Sequence, residues 1–480
     1  MKIILVLLCL CFSRFSWGQL QIKTHFSPIA NLVYQLDCIS DNLHHCSQKN
    51  FKKLWRQNFI TSKNDQTLLK KWHSIHEKYN RSISFDSKTK NYEGVKLSFK
   101  LRIASFQSVS LHDYLQRIDL ILTPKDKIEL EKIITHFYPR FLKWWTNKAL
   151  PESAEFIKKS KELLYSEKIE QKLAQFNHFF ATDLPKNYPL TFNFFYRPEL
   201  EKEPTNGQQL ENYSVTEFIA TEKAVERMEV VIHELCHFFF ENTNEKTLIK
   251  LEKEFKAIKH PHAIAAYNLL NESLATALGN GIFAKSHLTK SEWETAFKRE
   301  KSFYNDFYID QSAKEIIPIL ESWIKTGKTL DNVKEFVSLY YSALNSRFQA
   351  SLSAPRIQLR EMLLMADGTY HGPVRKIIRK HIRVASMYTS QGDWDDPKLL
   401  EVYKTKSDQN TLLALSRKNL HRLAYFDFLN KDDLAKMETG KEDFYFYTRP
   451  NSYYFIIVFA EDDKKLDKKI ETLSKLDSMK

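Results

Sequence analysis

Two imidazoles and a carboxylate stand together in Val230-Val231-Ile232-His233-Glu234-Leu235-Cys236-His237-Phe238-Phe239-Phe240. On a helix, a spacing of four places His233 and His237 on one face, with Glu234 beside the first of them. Such a pair can hold a divalent ion if one further protein ligand is found and one position stays open for water, whose proton the neighbouring carboxylate takes. Two polar rings among aliphatic and phenylalanine side chains are costly to bury without a partner, and a metal is such a partner. Glu272 is the candidate third ligand. It lies in Leu269-Leu270-Asn271-Glu272-Ser273-Leu274-Ala275-Thr276-Ala277-Leu278, a second apolar helical stretch. The plainer alternative is two ordinary helical histidines and a surface acid.

The pair His233-Glu234-Leu235-Cys236-His237, followed about 35 residues later by Asn271-Glu272, resembles the gluzincin arrangement of HExxH zinc metallopeptidases, the superfamily of thermolysin-like and M1-type enzymes. The likeness covers roughly residues 190 to 320. It implies Zn2+ held by His233, His237 and Glu272, with Glu234 as general base in peptide hydrolysis. It also implies a strand ahead of the active helix that pairs with extended substrate, here Ser214 to Ala220. Tyr308 stands where such enzymes place an oxyanion-stabilising phenol, with Tyr304, Tyr340 and Tyr341 as competitors. Two departures accompany the likeness. The gap from His237 to Glu272 is long, as though the charged stretch from Glu245 to Ile258 were inserted. Thr276 occupies the position where relatives carry an acid that hydrogen-bonds a ligand histidine, and its hydroxyl accepts a ring N–H more weakly than a carboxylate does.

The elements that must position these residues read as α+β, predominantly helical, with a gluzincin-like core, a short antiparallel sheet before the motif helix and a small α+β region at the C-terminus. From Gln19 to Leu184 the periodicity is helical, clearest in Ile128 to Ala149 and Ala154 to Phe180, where Trp144 and Trp145 are expected in the core. Pro185 to Pro189 breaks that pattern. Leu190 to Tyr196 and Tyr213 to Ala220 then read as strands, with Pro204 to Gly207 as a loop between them. The motif helix spans Thr221 to Asn242. The helix carrying Glu272 begins near His262 and is expected to stop at Gly279-Asn280-Gly281. Helices fill Lys290 to Ala366, and a break follows at Asp367-Gly368 and Gly372-Pro373. Asp443 to Thr448 and Tyr453 to Ala460 form a hairpin pattern before a charged terminal helix. The expected organisation is a leader over 1–18, a helical region over 19–184, a catalytic region over 185–370 and an α+β region over 371–480.

The leader carries Lys2, an apolar run from Ile3 to Phe12, and small residues at Ser16 and Gly18, the pattern of a signal peptide. The run is too short to anchor in a bilayer, and no later segment is apolar enough to span one. Export to a periplasm or beyond is therefore expected, in the manner of a bacterial protein. In that oxidising space Cys38 and Cys46 can close a short loop, a reading preferred to a metal site with His44 and His45; Cys236 then stays a buried thiol. A net charge of +13 favours polyanionic surfaces, and Arg375, Lys376, Arg379, Lys380 and Arg383 form the densest cluster. Nothing in the sequence points to a specific nucleic acid. With 43% hydrophobic residues and neither low-complexity tracts nor a repeat, disordered and fibrous classes are excluded. The expected partner is a peptide or protein substrate. A zinc amidase acting on cell-wall peptides and a non-catalytic binding protein on a peptidase-like fold are the rival readings.

Overall fold

Alternating apolar and β-branched residues around residue 190 and again around residue 213 demand strands, and a computed structural model of the protein places both in one sheet. It describes residues 20–43, 45–80, 97–185, 187–367, 373–384, 386–389, 393–405, 409–449 and 453–479. The expected leader over 1–18, and His44, lie outside the described residues. The chain divides into two units: residues 1–243 with 275–296 and 323–329, and residues 244–274 with 297–322 and 330–480.

The first unit holds four strands: β1 (Gln21–His25), β2 (Pro189–Tyr196), β3 (Gly207–Leu210) and β4 (Tyr213–Phe218). They lie in the order β1-β2-β4-β3. The sheet is mixed rather than antiparallel as expected: β1 and β4 both run parallel to β2, and only β3 runs antiparallel, to β4. The chain leaves β2, descends along β3 and turns at Glu211, whose φ of 49° makes the reversal tight. It then fills the slot between β2 and β3. All six residues of β4 are consequently buried. The segment Ser214 to Ala220 thus cannot be the substrate-pairing strand expected of it. β3 is an edge strand, paired to β4 alone; only its Gly207 fell within the expected loop, and the polar Gln208 and Gln209 that follow give little strand signal.

Helices pack against this sheet. Pro28–Ile39 starts at Pro28 behind the Ser27 cap and is buried along most of its length. Its Asn31 binds β2 twice, donating to the Phe194 carbonyl at 3.1 Å and accepting from the Tyr196 N–H at 3.0 Å. Cys38 and Cys46 are joined as a disulfide. Asp37, next to it, is fully buried and accepts from Arg102 at 2.5 Å and Trp72 at 2.9 Å. The periodic stretch from residue 128 becomes the helix Pro124–Trp144 and a π-helical turn, Trp145–Ala149. Leu150–Leu164 continues it, and Ser166 caps the next helix, Glu167–Phe179. Trp144 and Trp145 are core residues.

The second unit holds β5 (Glu361–Ala366), β6 (Ser386–Tyr388), β7 (Asn410–Leu415), β8 (Phe444–Thr448) and β9 (Tyr454–Phe459), in the order β6-β5-β7-β9-β8. All pairs are parallel except the hairpin β8/β9. Successive residues feed two apolar layers. Met362, Leu364, Leu412, Ile456 and Val458 pack with Ile378, Leu466 and Ile470. Leu363, Met365, Leu413, Ile457 and Phe459 pack with Trp394, Leu423 and Phe426 on the other face. Glu361 to Ala366, expected as the end of a helical stretch, is thus a strand. Glu-Met-Leu-Leu-Met-Ala favours a helix locally, but a sheet covered on both faces selects continuous apolar runs and overrides that preference. The expected hairpin is present, although its turn residues 450–452 lie outside the described residues. The protein is mostly helical with small mixed sheets, hence α+β. Among the described residues no helix is long and apolar enough to cross a membrane.

Candidate metal centre

The motif helix runs from Ala224 to Glu241. Met228, Val231, Ile232, Leu235, Cys236, Phe238 and Phe239 fix it in the core. Burial pushes the Cys236 thiol far up, so it stays protonated and unreactive. A polar stripe at steps of four runs along the helix: Glu229, His233, His237 and Glu241. Glu229 accepts from His287 at 3.0 Å. Burial raises both acids, an effect that His287 opposes at Glu229 and His237 opposes at Glu241. Sequence reasoning stopped at the two histidines, although the same step of four, carried one turn each way, marks both glutamates.

His233 and His237 meet edge to face, ring centroids 4.7 Å apart, with their Nε2 atoms 3.1 Å from each other. Behind His233, Nδ1 lies 3.0 Å from the Asn280 Oδ1. Asn280 comes from the chain that follows Glu272. Pro261–Ala275 is an α-helix that starts at its proline, close to the expected start near His262, and it passes directly into a π-helical segment, Thr276–Phe283. The expected stop at Gly279-Asn280-Gly281 does not occur. Gly279 instead lies against the motif helix: a Cβ there would fall 2.6 Å from the His233 N and 2.7 Å from its Cα, closer than atoms can approach. Thr276, expected to support a ligand histidine, is fully buried, and its hydroxyl meets no partner among the described residues.

His233, His237 and Glu272 each offer one ligand atom, and these atoms lie within 4.8 Å of one another. Two nitrogens and a carboxylate oxygen at this separation suit a divalent ion of the borderline class. Glu272 also accepts from Arg383 at 3.2 Å. Arg383 lies over the Tyr304 ring, 4.7 Å from its centroid, and donates to its hydroxyl. Burial and the Glu272 carboxylate push the Tyr304 phenol up, and Arg383 offsets this only in part, so it remains a hydrogen-bond donor. Tyr308 makes other contacts. Its hydroxyl accepts from Arg356 at 2.9 Å, and its ring packs on Phe348. The basic cluster is likewise divided: Lys380 and His381 bind Asp467, while Arg383 turns to Glu272. The sequence signal for Arg383 was swamped by the cations around it.

Glu234 is half-buried, and β3 runs beside it: a Cβ on Gly207 would meet the Val230 Cγ1 at 2.7 Å and the Glu234 Cγ at 3.4 Å. The entry to β3 is anchored by the buried Glu217, which accepts from the Asn206 N–H at 3.0 Å, Tyr34 at 2.8 Å, and the Ser47 N–H and hydroxyl at 2.8 and 2.5 Å. Arg227 of the motif helix donates to the Asn206 carbonyl at 2.8 Å. No family model, no curated protein and no solved structure matches this chain.

Proposed function

We propose that the protein is a metal-dependent hydrolase of peptide bonds, of the gluzincin type, in which His233, His237 and Glu272 hold Zn2+ and Glu234 is the general base. The observation that carries this reading is the grouping of the three ligand atoms within 4.8 Å. When bound, the ion supplies Lewis acidity, polarising a carbonyl and making water acidic near neutral pH. Glu234 takes the proton of the attacking water and returns it to the leaving amine. The Tyr304 hydroxyl and the Arg383 guanidinium, both partners of Glu272, are the donors we assign to the developing oxyanion, in the role expected of Tyr308. β3, an edge strand of its sheet and adjacent to Glu234, is the strand we assign to main-chain pairing with an extended peptide. The disulfide supports an oxidising location, and hence export.

The test compares the wild type with Glu234→Gln for bound metal and for turnover of a mixed peptide library. About one equivalent of metal in both proteins is expected. Turnover should be about 10²- to 10⁴-fold lower in the variant, the usual share of a general base. A folded protein that takes up no divalent metal would overturn the reading. Metal without any turnover would favour a binding protein, and turnover confined to muropeptides would favour the amidase.

A further inference from the structure

Thr276 and Asn280 follow Glu272 on the same unbroken run of helix, and only Asn280 reaches a histidine of the motif. A neutral imidazole carries one N–H and one lone pair, and an amide oxygen can only accept. The Asn280 Oδ1 at 3.0 Å therefore selects the tautomer of His233 with its proton on Nδ1. That choice leaves the lone pair on Nε2, the atom that faces His237 at 3.1 Å.

We propose that Asn280 is the positioning residue for His233, setting its tautomer and ring orientation for metal binding, and that the π-helical segment exists to bring it there. The inference rests on the metal reading above but assigns a residue which that reading does not use. Two observations support it beyond the hydrogen bond. A π-turn closes from residue i to i+5 and so shifts which side chains face a neighbouring helix; such segments gather at functional sites. Here the shift leaves the Thr276 hydroxyl without a partner in the core and sets Asn280 against His233. In addition, the approach is possible only because residue 279 has no Cβ to strike the His233 backbone. Asn280 also differs from an acid in carrying no charge. It orients the ring without raising its basicity as a carboxylate would, so an acid at this position should tighten metal binding.

The test uses the full chain with Asn280→Leu and Asn280→Asp. Zinc affinity is measured by competition with a chromophoric chelator, and the histidine tautomers of the metal-free proteins by 15N-resolved NMR. Asn280→Leu should bind zinc about 10- to 100-fold more weakly, the usual loss when such a partner is removed. Asn280→Asp should match or exceed the wild type. The wild-type spectrum should show His233 protonated on Nδ1, and Asn280→Leu should lose that preference. The proposal is overturned if folded Asn280→Leu binds zinc like the wild type, or if wild-type His233 carries its proton on Nε2. Should Asn280→Leu fail to fold, the aspartate variant and the wild-type tautomer still decide. If no variant and not even the wild type binds metal, the functional reading falls, whereas the tautomer result continues to judge Asn280 itself.

Discussion

The two sheets of the molecule are built on opposite terms. In the first unit the interior is threaded with hydrogen-bonded polar groups: Glu217 holds the entry to β3, Asn31 clasps β2, and Asp37 gathers Arg102 and Trp72. In the second unit β5, β7 and β9 alternate between two apolar layers, with no acid or base between Met362 and Ala366, within β7 or within β9. The first arrangement fixes directions, because hydrogen bonds are angular. The second fixes volume, because dispersion and the hydrophobic effect are not. The helix carrying His233, Glu234 and His237 belongs to the first unit, where directions are set.

The sharpest way to test this contrast is acid. Asp37 is buried; burial alone would raise its pKa, but His76 and Arg102 outweigh that and hold it below its ordinary value. His76 is buried too, and desolvation holds its ring below the ordinary 6.5 despite the Asp37 charge. Both shifts have the same consequence. A depressed carboxylate stabilises above its unfolded value and loses that contribution as pH falls; a depressed histidine stays neutral in the fold while the unfolded chain takes up a proton from about pH 6.5 downward. The first unit should therefore soften on acidification below about pH 6.5, and the strands of the second unit should not. Amide hydrogen exchange followed from pH 7 to 4 reads this region by region. Asp37→Ala, which strands the Arg102 charge, should cost about 3–5 kcal/mol in the first unit.

Leu412→Ala addresses the other side of the contrast. The side chain is fully buried, and its loss should cost about 2–5 kcal/mol. The cost should be independent of pH, visible as lost exchange protection in β5, β7 and β9. A pH-dependent loss there would break the distinction. Next in size is the disulfide. Cys38→Ser with Cys46→Ser opens a loop of sequence separation 8 and should lower stability by about 2–3 kcal/mol in denaturant titrations. The smallest effect is expected at the surface of the second unit. Lys380, well exposed beside Asp467, should change stability by less than about 1 kcal/mol on replacement by alanine.

How much of this was legible depended on whether the information was local. The motif helix, the strands β2 and β4, the hairpin β8/β9, the buried tryptophan pair and the disulfide all announce themselves in nearby residues. What escaped was decided at a distance. β1 is five residues whose partner lies far along the chain, so a helical reading of 19–184 had no cause to separate it. β5 reads as helix because its residues favour one, and only the layers on both faces say otherwise. Gly279 reads as a terminator because glycine usually is one; here its missing side chain serves contact with the backbone of His233. The candidate site divides in the same way. Local sequence brought forward His233, Glu234, His237 and Glu272, whereas Tyr304 was only one of several competing phenols and its pairing with Arg383 needed the fold, since a phenol among 22 tyrosines and a guanidinium in a basic run carry no local mark.

The brevity of β3 has a consequence of its own. A bare sheet border invites other chains to add themselves to it, and long ones seed aggregates. Four residues expose only a couple of outward-facing amide and carbonyl groups, too few to template a stack of copies. A peptide paired there, as proposed, would be gripped over only two or three residues and released readily.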